Sequence, residues 1–158
     1  MNQPVQKIAG NRLRVRACGV LADEEGIILV NHRGLYQHSF WAPPGGGINF
    51  GESVTKCLVR EFKEETSLDI EIEEFLFSTE FIRFPIHALE LFFKVHKIGG
   101  VLKSGNDPEF KDVQGYSLDV KKMTWPEIEL LKKEELHGSF ARVKSGKNIL
   151  DLRGYLIL

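Results

Sequence analysis

The sequence has little cysteine and no long run of apolar residues. Its two cysteines, Cys18 and Cys57, lie far apart among 158 residues and form no paired-cysteine motif, which favours a reducing compartment and argues against a zinc site. No apolar run approaches the roughly 18 residues that span a bilayer, and the opening segment lacks the apolar centre of a signal peptide. We therefore expect a cytoplasmic protein without a membrane segment.

An excess of charge of either sign is also missing. The chain has 21 Lys+Arg against 22 Asp+Glu, a formal net charge of -1. Proteins that coat nucleic acids are normally clearly basic, so this balance disfavours a nucleic-acid partner. A content of 42% hydrophobic and 27% charged residues excludes wholesale disorder. The length suits one domain, expected to span residues 1–158.

Apolar residues recur with strand or helix spacing and predict a mixed α/β fold. An alternating run from Leu13 to Leu21 and an apolar run at 27–30 predict a β-hairpin, joined by a turn that ends at Gly26. Glycine and proline are so dense at 34–51 that a long loop is predicted there. Ser53 is the predicted N-cap of a helix that ends near Thr66.

The second half of the chain adds more strands and one more helix. Residues 70–84 and 88–98 predict two strands joined near Pro85, and residues 113–118 predict a short strand. Thr124 and Glu127 have the spacing of a capping box, so a helix is predicted from there to about Glu135. The last four residues, 155–158, are compatible with a terminal strand or a packed tail.

Three glutamates stand out on the first predicted helix. At about 100° per residue, Glu61, Glu64 and Glu65 fall on the same stripe as the apolar Cys57 and Leu58. A solvated helix with i,i+4 pairs is the ordinary explanation for helical charge, but it places its acids on the opposite face. Acids on the inward stripe, with only Arg60 as an obvious counter-charge, need a cation.

The neighbouring glycines suggest what else binds there. Mg²⁺ is commonly held by a few carboxylates together with substrate phosphates, and Gly45, Gly46 and Gly47 precede the helix closely enough for backbone to approach a phosphate. The predicted reaction class is metal-assisted attack of water on a phosphoanhydride.

The run from Gly46 to Leu68 resembles the signature of the Nudix hydrolases, Gly-x5-Glu-x7-Arg-Glu-U-x-Glu-Glu-x-Gly-U, where U is bulky and aliphatic. The positions that carry the resemblance are Gly46, Glu52, Arg60, Glu61, Phe62, Glu64, Glu65, Ser67 and Leu68. Two of them depart from the pattern, because Phe62 replaces an aliphatic residue and Ser67 replaces the glycine that ends the family's helix.

The resemblance implies a fold and a set of roles. The fold is an α/β/α sandwich with a mixed central sheet. Glu61, Glu64 and Glu65, with the backbone carbonyl of Gly46, are expected to bind Mg²⁺ or Mn²⁺. Glu61 or a later acid is the candidate base, and Glu52 with Arg60 forms the supporting ion pair. Glu109 and Asp112 are candidates for a further acid outside the signature.

Several other residues are candidates for substrate contacts. Arg33 and the glycines Gly45, Gly46 and Gly47 are the expected binding residues, with Arg14 and Arg16 as weaker candidates. For the aromatic residues Phe40, Trp41, Phe81 and Phe84, core packing is favoured over base stacking, and the histidines show no metal-ligand spacing.

The resemblance implies a small nucleotide substrate, cleaved at a nucleoside diphosphate linked to another group. A nucleoside triphosphate or a nucleotide sugar is favoured, with ADP-ribose second because of the position of Pro85. The rival from another class is a Nudix-fold module that senses a nucleotide without cleaving it, but such modules can lose glutamates that this chain retains. The sequence leaves the oligomeric state open, a homodimer included.

Overall fold

The computed structural model describes residues 10–33, 35, 38–105 and 107–158. The N-terminal segment 1–9 and positions 34, 36, 37 and 106 lie outside the described residues. Positions 34, 36 and 37 belong to the long loop that was predicted at 34–51. Across the described part of the chain, no helix is both long and apolar enough to cross a membrane.

The described residues form two β-sheets and two α-helices. In chain order the strands are β1 (Arg12–Val20), β2 (Gly26–Arg33), β3 (Trp41–Ala42), β4 (Gly45–Gly47), β5 (Leu68–Arg83), β6 (Ile86–Gly100), β7 (Ser117–Thr124) and β8 (Gly154–Ile157). The helices are α1 (Val54–Thr66) and α2 (Trp125–Leu130), with short 3₁₀ turns at Pro108–Phe110, Lys133–Glu135, Gly138–Arg142 and Gly146–Asp151.

The larger sheet is mixed and has the strand order β4-β1-β6-β5-β8. β1 runs parallel to β6 and β5 runs parallel to β8, while the other pairs are antiparallel. The smaller sheet has the order β3-β2-β7 and is antiparallel throughout. This architecture confirms the predicted α/β class with a mixed central sheet.

The two faces of the larger sheet bury different apolar clusters. Consecutive strand residues point to opposite faces, and Ala17 and Cys18 show this directly. Ala17 packs with α1 residues such as Leu58 and Phe62, whereas Cys18 packs with residues of β2, β7 and α2. Helix α1 therefore covers one face of the large sheet, and the small sheet with α2 covers the other.

The predicted hairpin at the start of the chain is wrong. β1 and β2 lie in different sheets, and the chain that follows β1 meets β2 in an isolated bridge between Ala22 and Ile27. The turn itself forms, because the Asp23 carboxylate accepts from the backbone N–H groups of Glu25 and Gly26. β2 is buried from Gly26 to Asn31; it pairs with β7 at one edge and with β3 at the other, and its Ile27 and Leu29 pack with residues of the large sheet.

Two short strands form where a continuous loop was predicted. β3 pairs with β2, and β4 pairs with β1 in the register Ala17 to Gly46. At Gly45 a Cβ atom would lie 2.2 Å from the carbonyl oxygen of Ala17. Glycine is therefore what lets β4 approach β1 so closely, and the density of glycines marks a tight strand pair rather than an irregular segment.

Two later boundaries also differ from prediction. The strand expected at 113–118 is displaced to β7, because Val113 and Tyr116 instead pack in a small cluster with Leu35 and Phe110. Helix α2 begins with the predicted capping box, but it ends at Leu130, where the N–H of Leu131 bonds to the carbonyl of Ile128. The first helix and the pair of strands around Pro85 are confirmed, and of the two alternatives for the last residues the chain forms the strand, β8.

Candidate active site

Helix α1 carries the glutamates on its inward face, as predicted. The Ser53 hydroxyl accepts the N–H of Lys56 at 3.3 Å and caps the helix. Leu58 and Phe62 are fully buried against the large sheet. Glu61 and Glu65 continue that buried face, with 6% and 0% of their surface exposed.

Arg60 holds three carboxylates around the outer end of this face. Its Nε lies 2.8 Å from Glu52 Oε1, and its Nη1 lies 2.6 Å from Glu61 Oε1 and 3.2 Å from Glu64 Oε2. A second contact from Nη2 makes the Glu52 pair bidentate. Hydrogen bonds from Arg60 lower the pKa of Glu52 to about 2. The ion pair that the resemblance implies is therefore present.

Glu61 is pressed against the glycine strand β4. A Cβ atom at Gly46 would lie 2.3 to 2.5 Å from the carboxylate atoms of Glu61, so only glycine leaves room for this side chain. Burial, with the nearby charges of Glu65 and Asp107, raises the pKa of Glu61 to about 7 in spite of Arg60. A cation bound beside this buried carboxyl group would stabilise its ionised form.

Glu65 lies deeper than the other two acids. Its Oε2 accepts the N–H of Gly45 at 2.8 Å. Its Oε1 lies 3.0 Å from His32 Nε2, yet no donor among the described residues is aligned to form a hydrogen bond with that oxygen. A buried carboxylate oxygen without an aligned donor, next to a glycine cradle and further oxygen donors, fits the needs of a divalent cation.

Sequence analysis missed His32 and Asp107 as members of this site. One ligand atom each from His32, Glu65 and Asp107 lie within 4.8 Å of one another. His32 Nδ1 is 3.0 Å from the Tyr116 hydroxyl and 3.8 Å from Asp107 Oδ2. These residues come from β2, α1 and the loop before the 3₁₀ turn at 108–110, so no local spacing could have connected them.

The acids open onto a cleft of about 660 Å³ between α1, β1 and the loop at 107–109. Of the two acids proposed outside the signature, Glu109 lines this cleft, where both its oxygens contact Arg14 Nη2 at 2.6 and 2.7 Å. Asp112 is exposed and does not line it. The cleft is lined by Arg12, Leu13, Arg14, Val15, Gly47, Ile48, Asn49, Phe50, Arg60, Glu61, Glu64, Asp107, Pro108 and Glu109.

The expected substrate contacts divide into two groups. Gly47 lines the cleft, and Gly45 and Gly46 lie buried directly behind it. Arg33 is not part of the cleft lining; its exposed guanidinium pairs with Asp119 on the small sheet. Arg16 does not line the cleft either and pairs with Glu90.

The aromatic residues also separate by position. Trp41 packs against the larger apolar cluster, as favoured. Phe84 is 88% exposed and lines a separate shallow groove. Phe50, which sequence analysis did not select, is fully exposed and lines the cleft. Its position between the glycines of β4 and helix α1 is the feature of the sequence that could have pointed to it.

Comparison with known proteins agrees with this geometry. A family model described as the NUDIX domain matches residues 11–140. An ADP-ribose pyrophosphatase of Methanocaldococcus jannaschii is 32% identical over 91 residues, which cover 56% of this chain and 54% of that protein. An NAD-capped RNA hydrolase of Pseudomonas aeruginosa is 36% identical over 74 residues, covering 47% of this chain and 26% of that protein.

The fold is also similar to a solved structure. The MutT protein of Methanosarcina mazei Go1 superposes with a TM-score of 0.62 at 16% identity, covering 84% of this chain and 90% of that one. The chain spans about half or less of the length of the two curated relatives. With the family model matched over most of its length, the chain belongs to the Nudix family.

Proposed function

We propose that this protein hydrolyses a phosphoanhydride in a nucleoside diphosphate linked to another group, with Mg²⁺ or Mn²⁺. The observation that carries the proposal is the pair Glu61 and Glu64, which face a cleft that also contains Arg12 and Arg14. Acids alone attract cations and arginines alone attract phosphates, whereas a cleft with both suits a metal-bound diphosphate.

The metal would be held by Glu61, Glu64, Glu65 and the Gly46 carbonyl, with Asp107 close by. When bound, such a cation neutralises charge on phosphoryl oxygens and lowers the pKa of water. Arg60 keeps Glu61 and Glu64 in place through its 2.6 and 3.2 Å contacts. Glu61 is also our candidate for the group that accepts a proton from the attacking water, because it lines the cleft beside the proposed metal.

The remaining cleft residues would bind the rest of the substrate. Arg14, fixed by Glu109, presents a guanidinium that fits phosphate oxygens. The exposed ring of Phe50 at the cleft is suited to stack on a nucleobase. These features favour a nucleotide over inorganic or lipid phosphoanhydrides.

Within this class, a nucleoside triphosphate or a nucleotide sugar is our first proposal. ADP-ribose is the second candidate, supported by the 32% identity to a protein named ADP-ribose pyrophosphatase. A nucleotide-sensing module without turnover is the alternative from another class, and the retention of all three helix glutamates speaks against it.

The test is a panel of a few dozen diphosphate compounds, assayed with Mg²⁺ or Mn²⁺ for release of phosphate or nucleoside monophosphate. Glu64→Gln and Glu65→Gln are each expected to lower turnover on the best substrate by about a hundredfold, as for other losses of transition-state charge stabilisation. The matched control is Glu71→Gln, an exposed acid on β5, which should keep full turnover.

Two results would contradict the proposal. Full activity after exhaustive chelation would exclude the metal role, and wild-type rates in both glutamine variants would make α1 a structural helix. Tight binding of a compound from the panel without any turnover would instead support the sensing module.

A further inference from the structure

A buried chain of polar contacts crosses the middle of the large sheet, on the side away from α1. Glu90 of β6 and His137 are 4% and 6% exposed, and His137 Nε2 lies 2.7 Å from Glu90 Oε2. Thr79 of β5 donates its hydroxyl to the same oxygen at 3.0 Å. None of these residues lines the cleft.

The imidazole of His137 is oriented at both nitrogens. The N–H of Ser139 donates to Nδ1 at 3.2 Å, so Nε2 carries the proton that Glu90 accepts. The backbone N–H of His137 donates to the carbonyl of Trp41 at 2.9 Å. His137 is thus fixed against β3 on one side and Glu90 on the other.

Arg16 carries this contact toward the candidate active site. Its Nη1 donates to Glu90 Oε1 at 2.8 Å, and its Nη2 donates to the carbonyl oxygen of Gly45 at 2.8 Å. The N–H of Gly45 in turn donates to Glu65 Oε2 at 2.8 Å. Both polar groups of Gly45 are therefore held, one by Arg16 and one by a proposed metal ligand.

A purely structural ion pair is the simpler explanation of Glu90 and Arg16. Such a buried pair adds little stability over a well-packed apolar pair of the same size. Apolar side chains could not donate to the Gly45 carbonyl, however, and β4, which pairs with β1 through its backbone, has no side chains of its own to add to that pairing. The strand that supplies the Gly46 carbonyl depends on contacts from outside it.

We propose that Glu90 and His137 are positioning residues for the active site, which act through Arg16 to hold Gly45–Gly47 against Glu61 and Glu65. The proposal rests on the proposed function, since it concerns the same site. Displacing reacting groups by about 1 Å costs roughly a hundredfold in rate. Loss of the polar contacts that link His137, Glu90 and Arg16 to Gly45 should therefore lower kcat, while the cleft residues that bind substrate stay in place.

The experiment compares Arg16→Lys, His137→Ala and His137→Gln with wild type. Lysine can keep the charge pair with Glu90 but has no second arm for Gly45, and glutamine can still donate to Glu90. We expect a kcat about ten- to a hundredfold lower in Arg16→Lys and His137→Ala, with KM within about threefold, and partial recovery in His137→Gln. The Mn²⁺ dissociation constant should rise about tenfold in the first two variants.

A readout independent of catalysis is amide hydrogen exchange of Gly45–Gly47 in the metal-free protein. We expect faster exchange there in Arg16→Lys and His137→Ala, relative to the core amide of Phe77, which reports global opening. The control is His87→Ala, which removes a 2.7 Å contact to Glu80 between the same strands β5 and β6 without contacting β4. It should change neither the exchange nor the Mn²⁺ affinity.

The outcomes separate the two proposals. Absence of Mn²⁺ binding and turnover in wild type would overturn the proposed function, while exchange at Gly45–Gly47 would still decide the positioning role. Unchanged exchange in both variants, or an equal effect in His87→Ala, would overturn the positioning role and leave a structural ion pair.

Discussion

Burial divides the three helix glutamates into different roles. The side chain of Glu64 is 30% exposed, that of Glu61 8% and that of Glu65 0%. Glu64 can exchange Arg60 for a cation with little change in solvation, whereas Glu65 is already fixed by the Gly45 N–H. Glu61 lies between them, with its pKa raised to about 7 by burial. Acids on one helical stripe therefore differ because their surroundings differ.

Also at the scale of single residues, the surroundings of Glu90 predict how the free energy of unfolding depends on pH. Burial alone would raise its pKa, but His137 and Arg16 outweigh burial and lower the pKa from 4.5 to about 2. Because the folded pKa lies below the unfolded one, this stabilisation is complete above about pH 4.5 and is lost as the pH falls toward 2. The change is at most about 1.4 kcal/mol per pH unit.

The measurement is the urea midpoint of wild type and Glu90→Gln at pH 7 and pH 3. We expect wild type to be more stable at pH 7 and the difference to shrink at pH 3, since glutamine does not titrate. Glu71→Gln, an exposed acid, should show no such convergence. A difference that stays constant between the two pH values would contradict the lowered pKa.

Residues close in sequence could be predicted, and residues joined only by the fold could not. The helical period alone placed Glu61, Glu64 and Glu65 on one stripe with Arg60 beside it. His32 and Asp107 meet Glu65 only because β2 ends beside the loop that precedes β7. Arg33 was expected to bind substrate, but the strand direction that exposes it also sets it opposite Ser117, beside Asp119.

At the scale of elements, the packing of α1 on β1 explains how the chain accommodates Phe62. A Cβ atom at Gly19 would lie 2.5 Å from the Phe62 ring, so the ring occupies the space that a side chain at position 19 would take. We expect Gly19→Ala to destabilise the wild type by roughly 1 to 3 kcal/mol through overpacking. With Phe62→Leu the same change should cost clearly less.

A double-mutant cycle of urea midpoints measures this coupling. The matched control combines Phe62→Leu with Ser78→Gly, a site on β5 where the two changes should add. Equal costs of Gly19→Ala in both backgrounds would show that the contact is relieved by movement of the backbone rather than of the ring.

The end of α1 gives a second prediction at this scale. Ser67 has φ 62° and ψ 12°, and its N–H bonds to the carbonyl of Lys63, so the helix ends in a left-handed residue that is not glycine. Ser67→Gly should therefore stabilise the protein by a few tenths up to about 1 kcal/mol. Turnover should stay nearly unchanged, since no proposed ligand is altered.

The check is the urea midpoint of Ser67→Gly, with turnover assayed alongside. Ser78→Gly, inside strand β5, is the control and should be destabilised, because glycine there only adds freedom to the unfolded chain. A lower midpoint for Ser67→Gly would mean that the serine side chain stabilises the folded protein by more than its left-handed backbone conformation costs.

The local sequence pattern predicts individual strands more readily than it predicts which strands pair with one another. Strand spacing identified β1 and β2, but proximity in sequence wrongly suggested that they pair. β2 instead lies between β3 and β7 in the small sheet, where six consecutive residues of it are buried. The high density of glycines led to the prediction of a loop where β4 forms, although the close approach of β4 to β1 depends on those same glycines.

At the scale of the whole molecule, the proposed metal site joins parts of the chain that are distant in sequence. Gly46, the glutamates of α1 and Asp107 meet between the large sheet and the loop that leads to the small sheet. A cation bound there would link these layers and relieve repulsion among the carboxylates. Binding to the folded state alone must then raise the stability of the entire domain.

We expect Mn²⁺ or Mg²⁺ to raise the thermal midpoint in the absence of substrate. At a hundred times the dissociation constant, the gain is about 2.7 kcal/mol, which for a protein of this size corresponds to roughly 5 to 10 °C. The measurement is thermal unfolding with increasing metal after treatment with a chelator. Because one ligand charge is removed, Glu64→Gln should show a much smaller rise at the same metal concentration, whereas Glu71→Gln should match wild type. An equal rise in all three proteins would place the stabilising cation away from the acids of α1, since only binding elsewhere is indifferent to the charge of Glu64.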